Sequence, residues 1–260
     1  MSKEIGKGFL IIAGIAILVL IVLLALGWRP TSVGIEAGPV SIELAPATPF
    51  PTATIPSNRT QASPTPVPIE RFQTISLEPY SELSAPEINL GLAPGQYALS
   101  DVPFAVGWKA STQCSHIPER PQSILIETHI AHPRMIYLLL QAGFGWARFR
   151  DKKIGEIILH FDNGSTAITS LSLGYNIRDW ARDDNSNVVT IAFSSDLISV
   201  WEGVAPDGRP GGIDMLAVRV PPDRVNLILS GIEIVDVSQS TVGDIDPCIH
   251  LLAITVKYVE

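Results

Sequence analysis

Hydrophobic positions along this chain fall into three successive regimes. The first is the unbroken apolar run Phe9–Leu26. At about 1.5 Å per residue it makes a helix of roughly 27 Å, close to the hydrocarbon thickness of a bilayer. No charge interrupts the run; Lys3 and Lys7 precede it, and Trp28 and Arg29 follow at once. Such a helix satisfies its own backbone and offers lipid only apolar side chains, with an aromatic and a charge at headgroup level. The expectation is a single-pass signal anchor over 9–28, with residues 1–8 inside and the remaining chain extracytoplasmic. The alternative is a cleaved signal peptide with Ala25-Leu26-Gly27 as its small-x-small site. Signal h-regions are usually about 7–15 residues, and this run is longer. Both readings send the rest of the chain to the same side.

The second regime is proline-punctuated. Prolines crowd the stretch from Pro30 to Pro94, and above all Ala45–Pro68, with Thr and Ser between them. Proline fixes φ and removes a backbone donor, so this stretch is poorly suited to helix or sheet ladders. Residues 29–94 are therefore expected to form an extended linker, with Ala45–Pro68 as its stalk. Asn58-Arg59-Thr60, and Asn163-Gly164-Ser165 further on, have the form of N-glycosylation sequons.

From Tyr97 onward, short apolar segments alternate with turn residues. Ser123–Ile130 and Arg134–Leu140 are rich in the aliphatic residues that strands prefer. In Glu156–Phe161 the residues Ile157, Leu159 and Phe161 share one face, while Glu156, Ile158 and His160 share the other. Asn163-Gly164 then suits a tight hairpin, with Thr166–Leu173 as the returning strand. Further candidate strands are Val188–Phe193, Leu197–Trp201, Met215–Val220, Val225–Val235 and Ile249–Tyr258. No segment after the anchor carries a long, capped helical period. Many short strands at about 8–15-residue spacing predict one all-β domain over 95–260, a β-sandwich or jelly roll.

Charge and cysteine content change the picture in two ways. The net charge of −8 comes with scattered Lys and Arg, which argues against nucleic acid as a partner, since that needs a basic footprint. Cys114 and Cys248 are the 2 cysteines, and an even count in an oxidising compartment suggests a disulfide. It would close most of the folded part into one loop, worth up to about 4–5 kcal/mol by chain entropy. Two buried free thiols are the alternative.

Several segments in order carry a resemblance. They are Gly95–Trp108 (GQYALSDVPFAVGW), Ile136–Leu140 (IYLLL), the strand ending in Asp162-Asn163-Gly164, Gly174–Trp180 (GYNIRDW), Trp201-Glu202-Gly203 and Ile213-Asp214-Met215. Over roughly Gly95 to Tyr258 the chain resembles galactose-binding-like β-sandwiches, in particular domains related to the NPCBM carbohydrate-binding module of bacterial surface proteins. Gln141 departs from that pattern, and no strong calcium-loop pattern is present. The resemblance implies a jelly-roll sandwich with a glycan-related role, without identifying a sugar.

Sugar binding needs an exposed aromatic for the apolar face of a pyranose and planar polar groups for its hydroxyls. Asn176, Arg178, Asp179, Trp180 and Trp201 supply that mixture. The competing role is structural: Trp180 capping the core, with Arg178 and Asp179 paired to hold the loop. Asp183, Asp184 and Asn185 can present oxygens to a structural calcium ion, although a solvated loop explains them as well. His129 and His132 have helical metal-ligand spacing, but they sit in a predicted strand before Pro133. His116, His160 and His250 stand isolated. No nucleophile motif or catalytic trio is recognisable. The expectation is a non-catalytic module that binds glycan, or alternatively a surface protein, with no metal or other cofactor required.

Overall fold

The computed structural model describes residues 68–260 apart from 82, 85–91, 184–186, 206–207 and 244–245. The expected anchor, the stalk before Pro68, the Asn58 sequon, Asp184 and Asn185 all lie outside the described residues. Among the described residues no helix is long and apolar enough to cross a membrane.

The regular structure of the described residues is almost wholly antiparallel strand. In order they are β1 (Glu70–Ile75), β2 (Leu83–Ser84), β3 (Gly95–Leu99), β4 (Val102–Val106), β5 (Trp108–Ser111), β6 (Ser123–Ala131) and β7 (Pro133–Gly143). There follow β8 (Lys153–Phe161), β9 (Thr166–Ser172), β10 (Leu197–Val204), β11 (Pro210–Arg219), β12 (Ile228–Asp236) and β13 (Cys248–Val259). Among the described residues one short α-helix, α1 (Ser238–Val242), interrupts them. A 7-stranded sheet runs β10-β11-β7-β13-β5-β2, with β1 also on β13; a 4-stranded sheet runs β6-β12-β8-β9; β3 and β4 form a separate hairpin.

Period-2 patterning sets the small sheet. Ile124 and Ile126 of β6, Ile232 and Ile234 of β12, and Ile157 and Leu159 of β8 all point inward. They meet Ile136, Leu138 and Leu140 of β7 and Ile249, Leu251, Ile254 and Val256 of β13. Two sheets sharing one core in this way have the arrangement of an all-β sandwich. The β8–β9 turn is the expected Asn-Gly hairpin: Gly164 adopts φ +78°, and the Asn163 side chain accepts from the Ser165 N–H at 3.0 Å.

β7 and β13 instead read as near-continuous apolar runs, because both their faces are covered. Leu99, Val102, Phe104 and Val106 of the β3–β4 hairpin pack on Leu139 of β7, Ile213 and Met215 of β11, and Leu252 and Ala253 of β13. A register shift between Leu251 and Ala253 makes Leu252 an extra residue in its strand. That bulge places Leu252 and Ala253 together on the hairpin side, while Leu251 and Ile254 stay in the main core.

Three sequence expectations change. Residues 70–84, assigned to the linker, contribute β1 and β2; Glu70–Ile75 pairs along its whole length with Val259–Ile254 of β13. Charged side chains disguise β1 as linker, yet its backbone completes the edge of β13. Val188–Phe193 is not a strand and makes only one bridge, Val188 to Trp146. The Cys114–Cys248 disulfide is replaced by two buried free cysteines in hydrogen-bond contact. Their neighbours satisfy them as thiols: Cys114 is contacted by Cys248, and Cys248 Sγ lies 3.8 Å from the Gly143 carbonyl.

Candidate functional site

The segment Gly174–Trp180 leaves β9, turns, and threads between the end of β7 and the start of β11. Asn176 makes the turn: its amide donates to the Ser170 carbonyl and its oxygen accepts from the Ser172 N–H, both at 2.8 Å. Gly174, at φ +85°, supplies the left-handed step that a side chain would resist. Beyond the turn, the Ala142 N–H donates to the Arg178 carbonyl and the Trp180 N–H to the Ala142 carbonyl, while the Gly212 N–H donates to the Trp180 carbonyl. These bonds stitch the segment between two strands.

Charge fixes it from below. Asp214 of β11, 1% exposed, receives Arg178 through Nε at 2.8 Å and Nη2 at 2.7 Å, and Arg182 through Nη2 at 2.9 Å. The expected pairing of Arg178 with Asp179 is thus replaced by a bidentate fork on Asp214, the geometry that guanidinium favours. Arg182 lies against Gly212, where a Cβ would come within 2.8 Å of its Nε. Asp179 is also buried and accepts from the Gly145 and Ala181 N–H groups at 2.7 and 2.9 Å. Burial pushes its carboxyl up to about 6, against the pull of those two donors and of Arg182.

Trp180 and Trp201 are half-buried and pack against the hairpin-side core. Arg209 stands 4.7 Å over the Trp180 ring, and Tyr97 meets Trp201 edge-on at 6.3 Å. Of the five residues expected to face a sugar, Asn176 and Asp179 are buried, Arg178 is paired with Asp214, and both indoles are half-buried against the hairpin-side core.

What this framework presents to solvent is Tyr175. The carbonyl of Tyr175 accepts from the N–H groups of Phe193 and Ser194 at 3.0 and 2.8 Å, bringing Phe193 beside it. Tyr175 is 56% exposed, Phe193 72% and Ile191 52%. Their backbone is held at several further points. The Val189 carbonyl accepts from the Asp179 N–H at 2.9 Å, the Val189 N–H donates to the Gly145 carbonyl at 2.7 Å, and Arg178 Nη1 donates to the Thr190 carbonyl at 3.0 Å. The result is an aromatic ledge on a braced, non-ladder segment. The clue in the sequence is Tyr175 inside the GYNIRDW segment; Phe193 is hidden inside an apolar run that reads as a strand.

A second constellation, invisible in the sequence, is buried where β5, β7 and β13 meet. His250 Nδ1 lies 2.8 Å from Ser111 Oγ, and Nε2 lies 3.7 Å from Cys248 Sγ. Gly143 leaves that space open, since a Cβ there would come within 2.5 Å of His250 Nε2. Burial, with Lys109 and Arg120 nearby, holds His250 well below its ordinary pKa. Lys109 is itself pushed down to about 7 by burial. The Cys248 thiol is pushed up by Cys114 and by burial. A protonated thiol beside a neutral, wholly buried imidazole is a poor nucleophile.

The other histidines are scattered. His160 pairs with Glu233 at 2.9 Å, and His116 stacks on Phe144 at 4.3 Å. His129 faces outward on β6, and His132 sits in the following turn at φ +51°. Among the described residues no cluster of His, Cys, Asp or Glu is arranged to hold a metal ion. Comparison of the chain with protein-family models, curated proteins and solved structures finds no match.

Proposed function

We propose that this protein is a non-catalytic binding module, displayed outside the cell membrane by the Phe9–Leu26 helix and the Pro/Thr-rich stalk, whose ligand is carbohydrate. The observation that carries the reading is the exposed pair Tyr175 and Phe193 on a backbone fixed by Asn176, Arg178 and Asp214. Aromatic rings held out of the core on a fixed backbone offer flat apolar area to a pyranose face. The ordered likeness to galactose-binding-like, NPCBM-related jelly rolls supports the same ligand class. Trp180 serves here as part of the bracing, its backbone bonded to Ala142 and Gly212.

A second reading, docking of a surface protein, draws on Ile191, an aliphatic neighbour that sugars use less than proteins do. A glycan-array screen of the full-length chain in detergent, with and without calcium, separates the two. Reproducible, competable binding to one sugar class supports the carbohydrate reading. Silence from a cooperatively folded sample refutes it and favours the protein partner.

A further inference from the structure

The β3–β4 hairpin covers the outer face of the large sheet over Leu139, Met215 and Ala253. Further along the same strands the face carries a groove of about 350 Å³. Strand register explains its chemistry. Arg219 of β11 lies opposite Met135 of β7, Met135 opposite Lys257 of β13, and Lys257 opposite Phe72 of β1. Neighbouring strands sit about 4.8 Å apart, so these four residues form one row across the sheet, with Arg219 and Lys257 two strands apart. Tyr137, two residues beyond Met135 on the same face, forms part of the floor and meets Phe72 at 6.3 Å between ring centroids.

Three cations line this groove in a chain of net charge −8: Arg134, Arg219 and Lys257. Glu70, the one acidic residue lining it, is taken by Lys257 at 2.6 Å. Arg134 Nη1 donates to the Val225 carbonyl at 2.9 Å. Arg219 is exposed and has no hydrogen-bond or ion-pair partner among the described residues. The contrast with a groove of similar size, about 320 Å³ beside Trp108 and Leu77, is direct: that one is lined by no charged residue. An aromatic floor beside an uncompensated guanidinium matches a ligand with a flat apolar ring face and an anionic substituent.

We propose that this groove is a binding site for an acidic saccharide, its carboxylate received by Arg219 with Arg134 and Lys257 at the rim, and its pyranose face lying on Tyr137. The site is separate from the Tyr175–Phe193 ledge and stands whether or not the ledge binds sugar. Arg219 acts as the carboxylate fork, Tyr137 supplies ring selectivity, and the Lys257–Glu70 pair fixes one wall.

The test is calorimetric titration of the full-length chain in detergent with trigalacturonate, with neutral galactotriose and inorganic phosphate as parallel ligands. Binding of trigalacturonate is expected, weakening as salt rises. Neutral galactotriose and phosphate alone are expected to bind at least tenfold more weakly. Arg219→Ala is expected to lower trigalacturonate affinity by about 10–100-fold, the range for a hydrogen bond to a charged group. Arg219→Lys should recover part of that loss, and Tyr175→Ala/Phe193→Ala should leave it unchanged. Arg219 is exposed, so its variants should melt with the parent; a shared melting temperature certifies each comparison. Absence of trigalacturonate binding, equal binding of the neutral trisaccharide, binding of phosphate alone, or indifference to Arg219→Ala each overturns the proposal.

Discussion

Replacing Asp214 by Asn tests whether the GYNIRDW segment owes its shape to buried charge. The change is nearly isosteric, so packing is preserved while the negative charge is removed. Asp214 is 1% exposed and its two guanidinium partners have side chains 19% and 13% exposed, so solvent screens the triad weakly. Three charge-assisted contacts of 2.7 to 2.9 Å are lost or weakened, and an amide NH₂ is turned toward N–H donors. Removing one partner of a buried ion pair costs about 3–5 kcal/mol. Arg178 keeps its bond to the Thr190 carbonyl, which places the expectation near the lower end, about 3 kcal/mol. For a domain of this size that lowers the melting temperature by roughly 6–12 °C. Urea unfolding followed by tryptophan fluorescence reads the loss as a lower midpoint at unchanged slope. Hydrogen exchange adds a local readout, because the Val189, Phe193 and Ser194 amides should lose protection first. A loss below about 1 kcal/mol, with those amides unaffected, would refute the claim that the triad braces the ledge.

Three further outcomes are expected from the buried groups. Lys109, pushed down to about 7, is neutral in the folded chain and protonated in the unfolded one between about pH 7 and 10, so stability should rise with pH across that window. Lys109→Met should flatten the slope and stabilise the protein by up to about 4 kcal/mol at or below pH 7. Cys114, lowered to about 7 by its Cys248 hydrogen bond, adds to the rise between about pH 7 and 9, while Cys248, pushed up in the folded chain, opposes it above about pH 9; stability falling between about pH 7 and 9 in the parent would contradict both. Trp201 Nε1 is buried with no hydrogen-bond partner among the described residues. Trp201→Phe should therefore cost under about 1.5 kcal/mol while Trp201→Ala costs about 3–5, and equal losses in chemical denaturation would place the indole N–H in a bond. Both cysteines are free and buried. Alkylation of unreduced protein should leave the native chain unlabelled and add two tags after denaturation; no tags after denaturation would show a disulfide.

Strands with one solvent-facing side were legible in the sequence and those with special partners were not. β8, β9 and their turn could be read because alternation and Asn-Gly agree. β7 and β13 could be read as strands, but nothing in an apolar run tells which face meets the hairpin and which the main core. β1 escaped notice because Glu70 and Arg71 belong to exposed ion pairs, Glu70 with Lys257 and Arg71 with Glu260. Val188–Phe193 looked like a strand from its apolar residues, yet Val189 is buried while Ile191 and Phe193 face solvent. For the Gly174–Trp180 segment, the polar and aromatic residues were legible in the sequence and their partners were not. Arg178 finds its partner 36 residues away at Asp214, a pairing that spacing cannot reveal, and the ring left exposed is Tyr175 while Trp180 packs against the hairpin-side core.

The central claim is that Tyr175 and Phe193 bind carbohydrate from a rigid ledge. Its most direct measurement is titration of the neutral sugar class retained on the array into the full-length chain and its Tyr175→Ala/Phe193→Ala variant. The expected result is an unchanged melting temperature and an affinity lowered by about 10–100-fold, in keeping with loss of exposed stacking rings. Undiminished affinity in a variant that melts with the parent, or no neutral sugar retained by the parent, would contradict it.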